Sequence, residues 1–308
     1  VKAILLREKP HIVHTHTAKA GFVGRLAAKL TKTPIIVHTF HGNVFKGYFS
    51  PAKTKLFIAI EKMLAVYTDR IVVLSEQQKN EILSLGIGTS EKFRIIPLGL
   101  DLKPFLEIDN LKGELRRELN IENDVPLVGI VARLVPIKAI DLFLDAAKRV
   151  LETEPRAVFL IAGDGELRAA LEKQARDLGI EKSVRFLGFR SDLDRIYADL
   201  DCKVLCSKNE GLPVAVIEAL ACARPVVSTD VGSVSNLVEH EKSGLLVPSG
   251  DAEKLADAII RVLTSPAEAA KWGAAGREKV YPQLDISRLV RDIENLYDEL
   301  LREKGISV

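Results

Sequence analysis

Residues 202–221 read CKVLCSKNEGLPVAVIEALA, and this stretch decides the fold that the sequence predicts. An apolar run at 202–206 leads into a polar loop at 207–211, and a helix follows from Leu212 and Pro213. Proline is tolerated in the first turn of a helix, where its missing N–H would have had no partner. A buried strand followed by a short loop and a helix is the repeating unit of a parallel α/β sheet.

The same alternation continues in both directions and predicts two blocks, each a parallel sheet covered by helices. In the first block we expect strands at 11–14, 35–39, 70–74 and 94–97, with helices at 21–30, 51–66 and 76–85. In the second block we expect strands at 127–132, 157–162, 183–187, 202–206, 225–228 and 244–247. Helices are expected there at 137–151, 166–178, 192–198, 213–221 and 233–239, and near the end of the chain at 252–263, 266–280 and 285–302. The spacing is that of doubly wound sheets, which bind ligands at the carboxyl ends of their strands.

A linker is predicted at residues 97–109, where proline and glycine interrupt the periodicity. It divides the chain into an amino-terminal domain, 1–108, and a carboxy-terminal domain, 109–284. A domain of this class normally opens on a strand and a glycine-rich turn, whereas residues 1–7 predict a helix. We therefore expect the first domain to be truncated at its amino end.

The composition, with 47% hydrophobic and 28% charged residues, is typical of a soluble globular protein, and 308 residues suffice for two domains. No apolar run approaches the ~18 residues that cross a bilayer, and no secretory signal is recognised. Cys202, Cys206 and Cys222 lie in apolar surroundings. This pattern predicts core packing in a reducing cytoplasm rather than disulfides or a metal site.

The charge is unevenly distributed, although the net charge is only +2. Residues 1–60 contain ten Lys or Arg and a single acid, Glu8, and five of the six histidines lie between residues 11 and 41. Two explanations stay open. One is the chance composition of a short window, and the other is a surface that meets anionic partners such as phosphates or acidic lipid headgroups.

Two acids lie in the middle and near the end of the stretch that opened this section. Glu210 directly precedes backbone N–H groups at a helix start, which suit a diphosphate, and Glu218 lies about two turns further along. Carboxylates in these positions can each accept hydroxyls from a different part of one elongated ligand. Because the residues around Glu218 are apolar, a solvent-facing position does not explain it, and its charge needs a partner.

A second turn, after the strand predicted at 127–132, carries Arg133 and Lys138. Two cations at the carboxyl end of a strand can neutralise a diphosphate leaving group, whose charge grows as a glycosidic bond breaks. The alternative is an exposed turn with two solvated charges, and the turn alone does not decide between them.

Together, RLVPIK at 133–138 and EGLPVAVIE at 210–218 resemble the motifs of the retaining GT-B glycosyltransferases known as family 4. Shorter matches follow in the same order along nearly the whole chain: HTH at 14–16, FHG at 40–42, PLGLD at 97–101, GDG at 163–165 and GLLVP at 244–248. The resemblance implies two facing Rossmann-like domains, the first on the acceptor side and the second binding the donor. It also implies that the final helix, within 285–308, crosses back and packs on the first domain.

The same resemblance implies an activity, which is the retaining transfer of a hexose from a nucleotide-diphosphate sugar to a lipid-linked or surface glycan. Such polysaccharide biosynthesis would take place in the cytoplasm, at the inner face of the membrane, without a metal or another cofactor. The implied site residues are, by role, His41 and Glu210 in catalysis; Arg133, Lys138, Gly211 and Leu212 at the donor diphosphate; Glu210 at the donor sugar and Glu218 at the ribose; Gly188, Phe189 and Arg190 near the base; and His14, His16 and Gly42 on the acceptor side.

Two rival functions stay open. One is a sugar-nucleotide epimerase on the same fold. The other is a non-catalytic donor-binding remnant, since the first strand and glycine-rich loop of the family are not in this sequence. Ala139 is a smaller departure, because the family often has a glycine after the lysine.

Several further patterns receive structural or peripheral interpretations. Asp192 is predicted to cap a helix and Asp201 to begin a strand, so neither suits a metal triplet. No acid or cysteine completes a metal site beside the histidines, and His38 is expected to be structural. Cations and aromatic residues at 45–58 suit contact with an anionic membrane surface, whereas nucleic-acid binding is not expected.

Overall fold

The computed structural model describes residues 1–41 and 51–307, with only the backbone at Pro51. The chain forms two compact units, Val1–Leu100 with Leu284–Val308, and Asp101–Gln283. The first boundary therefore lies before the predicted position at 108. Residues 101–108 belong to the second unit because Leu102 and Ile108 are buried and a short helix lies between them.

Helices and strands alternate along the described residues, and the predicted parallel α/β class is confirmed. The strands are β1 (Ile12–His16), β2 (Ile35–Thr39), β3 (Arg70–Val73), β4 (Phe93–Ile95), β5 (Leu127–Val131), β6 (Val158–Ala162), β7 (Val184–Gly188), β8 (Cys202–Leu205), β9 (Val226–Thr229) and β10 (Leu245–Val247). The helices are α1 (Lys2–Glu8), α2 (Ala18–Leu30), α3 (Pro51–Tyr67), α4 (Glu76–Ser84), α5 (Lys103–Leu106), α6 (Glu114–Leu119), α7 (Ile140–Thr153), α8 (Arg168–Asp177), α9 (Leu193–Asp199), α10 (Val214–Ala221), α11 (Val234–Leu237), α12 (Ala252–Thr264), α13 (Pro266–Val280) and α14 (Ile286–Glu303).

The first unit has a parallel sheet with its strands in the sequential order β1-β2-β3-β4. Strand β2 is buried along its whole length, as expected for a central strand covered on both faces. Helix α14 returns to this unit, where Leu296 and Leu300 pack with Ile35 and Val37. Each buried leucine contributes about 2–3 kcal/mol through burial, which holds the end of the chain on the first unit.

The second unit has a six-stranded parallel sheet in the order β10-β9-β8-β5-β6-β7. The chain starts in the middle with β5, builds outward to β7, and returns to the other side of β5 with β8. This reversal between β5 and β8 is the switch point of a doubly wound sheet, where the loops diverge and leave a crevice for ligands. Among the described residues, a reversal of this kind occurs in the second sheet but not in the first.

The three cysteines are free and buried, so their predicted place in the core is confirmed. Cys202 and Cys206 belong to the main cluster of the second unit, together with Phe143 and Phe159. Over the part of the chain that the structure describes, no helix is both long and apolar enough to span a membrane.

Candidate functional site

The turn that follows β5 holds Lys138 in a fixed conformation. A 3-10 turn at Pro136–Lys138 ends on Ala139, which is buried and has the left-handed backbone angles φ +48° and ψ +47°. The Cys206 thiol donates to the carbonyl oxygen of Ala139 at 3.0 Å, and thereby ties this turn to the end of β8. Glycine adopts left-handed angles without strain, whereas here an alanine adopts them.

Lys138 and Glu210 meet at the switch point of the second sheet. The Lys138 Nζ lies 2.5 Å from Glu210 Oε1, and the Ser207 hydroxyl donates to the same oxygen at 2.6 Å. Glu210 is only 8% exposed, so its charge depends on these two donors. Both charged residues were predicted from the sequence, whereas Ser207 was not, because a single serine in a loop has no distinguishing pattern.

The loop after β9 packs against the backbone of Glu210 at Gly232. A methyl group on Gly232 would lie 1.8 Å from the Glu210 carbonyl oxygen, and Gly232 has φ +58°. The next residue, Ser233, donates its backbone N–H to the same carbonyl at 3.3 Å and its hydroxyl to the Gly211 carbonyl. Only glycine permits this close approach of two loops.

The Gly163-Asp164-Gly165 turn after β6 packs directly on the Arg133–Lys138 turn. The Leu134 N–H donates to the Asp164 carbonyl at 2.9 Å. Methyl groups on Gly163 and Gly165 would lie 1.9 Å from Ala132 O and 2.5 Å from Leu134 O. These glycines therefore bring neighbouring loops together at the carboxyl edge of the sheet.

Several donors at this edge have no recorded partner among residues 1–41 and 51–307. They are the exposed guanidinium of Arg133 and the backbone N–H groups of Gly211 and Leu212. The helix was expected to start at Leu212, but α10 starts at Val214 after the N-cap residue Pro213. Both amides thus belong to the preceding loop and not to the first helical turn.

Glu218, on the apolar helix α10, has the partner that the sequence required. The Tyr197 hydroxyl donates to Glu218 Oε2 at 3.0 Å, and Tyr197 itself is fully buried. Burial raises the pKa of Glu218, while the Tyr197 hydrogen bond and the nearby Lys203 cation act in the opposite direction. Burial of Lys203 also lowers the pKa of its ammonium group to about 8.

The end of β7 combines an exposed aromatic ring with a fully engaged arginine. Phe189 is 83% exposed. Arg190 forms ion pairs of 2.6 Å with Glu118 and with Asp192, and hydrogen bonds to these acids raise the pKa of its guanidinium. Asp192 occupies the N-cap position of α9, as predicted. Its side chain makes no capping hydrogen bond, however, because it pairs with Arg190 and Arg195.

In the first unit, the predicted acceptor-side histidines His14 and His16 lie on β1, and the predicted catalytic residue His41 follows β2. His14 is held on both ring nitrogens, by the Tyr297 hydroxyl and the Thr39 hydroxyl, each at 2.7 Å. Its burial, together with the nearby His16 and His41, lowers its pKa to about 4, so it is neutral at pH 7.

His16 and His41 form a more exposed pair. His16 Nδ1 lies 2.8 Å from His41 Nε2, and one of the two nitrogens must donate a proton to the other. Gly42 lies outside the described residues, as do residues 45–50 of the 45–58 segment, whose remaining residues begin α3. Within the described residues, no group of three or more His, Cys, Asp or Glu side chains could hold a metal ion.

His38 is structural, as expected. It is buried on β2, and its Nδ1 lies 2.9 Å from the Thr15 hydroxyl. Burial, followed by the nearby Arg25 cation, lowers its pKa to about 2.

Two family models match the chain. The one described as Glycosyltransferase Family 4 matches residues 1–104, and the one described as Glycosyl transferases group 1 matches residues 112–279. Two parallel-sheet units with a cation–carboxylate pair at a switch point, together with these matches, define a glycosyltransferase. The chain belongs to the group 1 glycosyl transferases.

Individual relatives agree with this family. The UDP-Gal:alpha-D-GlcNAc-diphosphoundecaprenol alpha-1,3-galactosyltransferase of Escherichia coli is 32% identical over 98% of this chain and 78% of its own length. The D-inositol 3-phosphate glycosyltransferase of Saccharomonospora viridis is 30% identical over 87% of this chain and 65% of its own length. The crystal structure of Anabaena HepE in complex with UDP has a TM-score of 0.84 and 23% identity, covering 97% of this chain and 82% of HepE, and shares the fold.

Proposed function

We propose that the protein transfers a sugar from a nucleotide-diphosphate sugar to a glycan or glycolipid acceptor, with retention of configuration at the transferred carbon. The observation that carries the proposal is the contact between Lys138 and Glu210 at the switch point of the second sheet. A cation that can bind phosphate and a carboxylate that can bind hydroxyls are thereby placed side by side. A sugar diphosphate offers phosphates to such a cation and hydroxyls to such a carboxylate.

The donor diphosphate is assigned to Arg133, Lys138 and the amides of Gly211 and Leu212. Arg133 and the two amides have no recorded partner in the described part of the chain. As the glycosidic bond breaks, negative charge grows on the diphosphate, and these donors stabilise that charge. The leaving group therefore requires neither a metal nor another cofactor in this proposal.

The sugar and the nucleoside of the donor are assigned by the same chemistry. The Glu210 carboxylate accepts hydroxyls of the donor sugar, and Glu218 accepts those of the ribose. Phe189, at the end of β7, offers an exposed ring on which a base can stack. Gly188 and Arg190 flank this ring, but Arg190 is already paired with two acids and acts on the conformation of the turn.

The acceptor is proposed to be a lipid-linked or surface glycan, and the reaction to take place in the cytoplasm at the inner face of the membrane. The name of the E. coli relative supports this choice, because that enzyme is said to act on a diphosphoundecaprenol-linked sugar. His41 is assigned to the reacting carbon or the acceptor, with His14, His16 and Gly42 on the acceptor side. Peripheral contact with anionic lipid through 45–58 belongs to the same proposal.

The test is donor binding and transfer by Lys138→Met and Glu210→Gln, after a screen of UDP-, GDP- and ADP-sugars by calorimetry. Each variant should lose at least 100-fold in transfer, because charge-assisted hydrogen bonds to a developing charge are worth about 3 kcal/mol. Lys173→Met is the matched control, since it breaks an exposed ion pair with Asp177 of the same 2.5 Å length.

Full transfer by either site variant would contradict the proposal. Release of an altered sugar nucleotide in the absence of any acceptor would instead identify an epimerase. Tight donor binding by the wild type without transfer or hydrolysis would identify a donor-binding remnant.

A further inference from the structure

The two carboxylate oxygens of Glu210 have different surroundings. Oε1 accepts from both Lys138 Nζ and the Ser207 hydroxyl, at 2.5 Å and 2.6 Å. No donor to Oε2 is recorded in the part of the chain that the structure describes. Within the described residues, the protein therefore holds one oxygen and leaves the other without a donor.

Ser207 is well placed to fix this orientation. It is fully buried at the end of β8, and the Thr229 hydroxyl donates to its carbonyl at 2.7 Å, which ties it to β9. A buried serine has a single rotatable side-chain bond before its hydroxyl, whereas a lysine has four, so ordering Ser207 costs far less conformational entropy.

The second donor, Lys138, has a competing role in the proposed reaction. A diphosphate beside Lys138 offers its ammonium group several strong acceptors. When Lys138 binds the phosphates, the Ser207 hydroxyl still donates its hydrogen bond to Glu210 Oε1. Ser207 carries no charge, so a diphosphate attracts it less strongly than it attracts Lys138.

We propose that Ser207 is a positioning residue that holds Glu210 Oε1 so that Oε2 faces the hydroxyls of the donor sugar. The inference rests on the proposed donor class, and it assigns a role to a residue outside the charged pair. It predicts that the hydroxyl of Ser207 matters for ligands that carry a sugar and not for the nucleoside diphosphate alone.

The experiment compares Ser207→Ala with wild type, using UDP-galactose with UDP and GDP-mannose with GDP as probes in calorimetry and transfer assays. For whichever sugar nucleotide and nucleoside diphosphate bind, Ser207→Ala should weaken binding of the sugar nucleotide and lower kcat/KM, each by about 10- to 100-fold. This is the range for one hydrogen bond to a charged group. Affinity for the nucleoside diphosphate should stay within about twofold. Ser228→Ala is the matched control, because Ser228 is equally buried and, among the described residues, its hydroxyl donates to the Thr229 carbonyl alone.

A double-mutant cycle with Glu210→Gln separates positioning from general damage to the fold. In the Glu210→Gln background, Ser207→Ala should have little further effect, since the group that it positions is already altered. Ser207→Cys, whose side chain has the same shape, is slightly larger and keeps a weak donor, should show an intermediate loss and covers the case in which the alanine variant does not fold.

Equal losses for the sugar nucleotide and the nucleoside diphosphate would overturn the inference, as would additive losses in the cycle. Wild-type binding together with an unaffected Ser207→Ala variant would overturn it while leaving the proposed function intact. Absence of wild-type binding to every UDP-, GDP- and ADP-sugar in the screen would overturn both.

Discussion

Replacing Gly232 by alanine should test how loop packing affects transfer, because Gly232 has no side chain that could bind the donor or take part in the reaction. The new methyl group would lie 1.8 Å from the Glu210 carbonyl oxygen, whereas real contacts of this kind essentially never fall below 3.0 Å. The two loops must therefore move apart by more than about 1 Å. A shift of this size moves Glu210 and breaks the Ser233 N–H bond to its carbonyl.

The free energy of unfolding should fall by about 3–4 kcal/mol. About 1–2 kcal/mol comes from the left-handed angle of φ +58°, and about 1 kcal/mol from each of the two Ser233 hydrogen bonds that are lost. For a unit of this size the Tm should fall by about 10 °C. Transfer should fall about 100-fold, because a misplacement near 1 Å costs that much in a preorganised site.

Gly179→Ala is the control for backbone strain alone. Gly179 has φ +71°, and a methyl group there would meet nothing within 4 Å. It should lose about 1 kcal/mol of stability and no transfer activity. Thermal unfolding and donor-dependent transfer are measured on both variants. If Gly232→Ala matched Gly179→Ala in both measurements, the argument that Gly232 fixes Glu210 would be wrong.

Three further outcomes are expected. Ala139→Gly should change the free energy of unfolding by less than about 1 kcal/mol in a urea titration, because relief of the left-handed strain offsets the greater entropy of the unfolded chain; a loss above about 2 kcal/mol would contradict this. His38 has a folded pKa of about 2 against 6.5 unfolded, so the unfolded state binds the proton and stability is lost as the pH falls below 6.5. Between pH 7 and pH 5 the wild type should lose about 2 kcal/mol more than His38→Asn, measured by hydrogen exchange in β2, and parallel pH curves would refute the assignment. Tyr197→Phe removes a donor to Glu218 and should raise the pKa of Glu218 further. The affinity for the nucleoside diphosphate should therefore fall, and it should fall more steeply as the pH is lowered, which calorimetry at several pH values measures. An unchanged affinity profile would exclude this role for Tyr197.

The order of strands and helices could be predicted because apolar β-branched runs alternate with amphipathic stretches. The region after residue 97 was predicted less well. Proline and glycine there suggested a linker, yet Leu102 and Ile108 anchor α5, and α6 was not predicted. A helix of four to six residues has too few positions to show a period.

The candidate site was predicted as a set of charges but not as an arrangement. Lys138 and Glu210 stood out because they are charged residues close to strand ends, whereas Ser207, Tyr197 and Gly232 carry no charge and were not singled out. Their importance comes from contacts between separate loops, which depend on the order of strands in the sheet. No local pattern contains that order.

The switch point has a consequence for the folding of the second unit. Strand β5 pairs with β8, from a distant part of the chain, with Val128 opposite Cys202. Closing so long a loop carries a large entropy cost, and contacts of this kind slow folding. The Lys138–Glu210 contact exists only once these strands have paired, so a donor that bridges it would bind the completed sheet and not its precursors. Such a ligand stabilises the folded state by RT ln(1 + [L]/Kd), so the supply of donor would also govern how long the second unit survives unfolding and proteolysis.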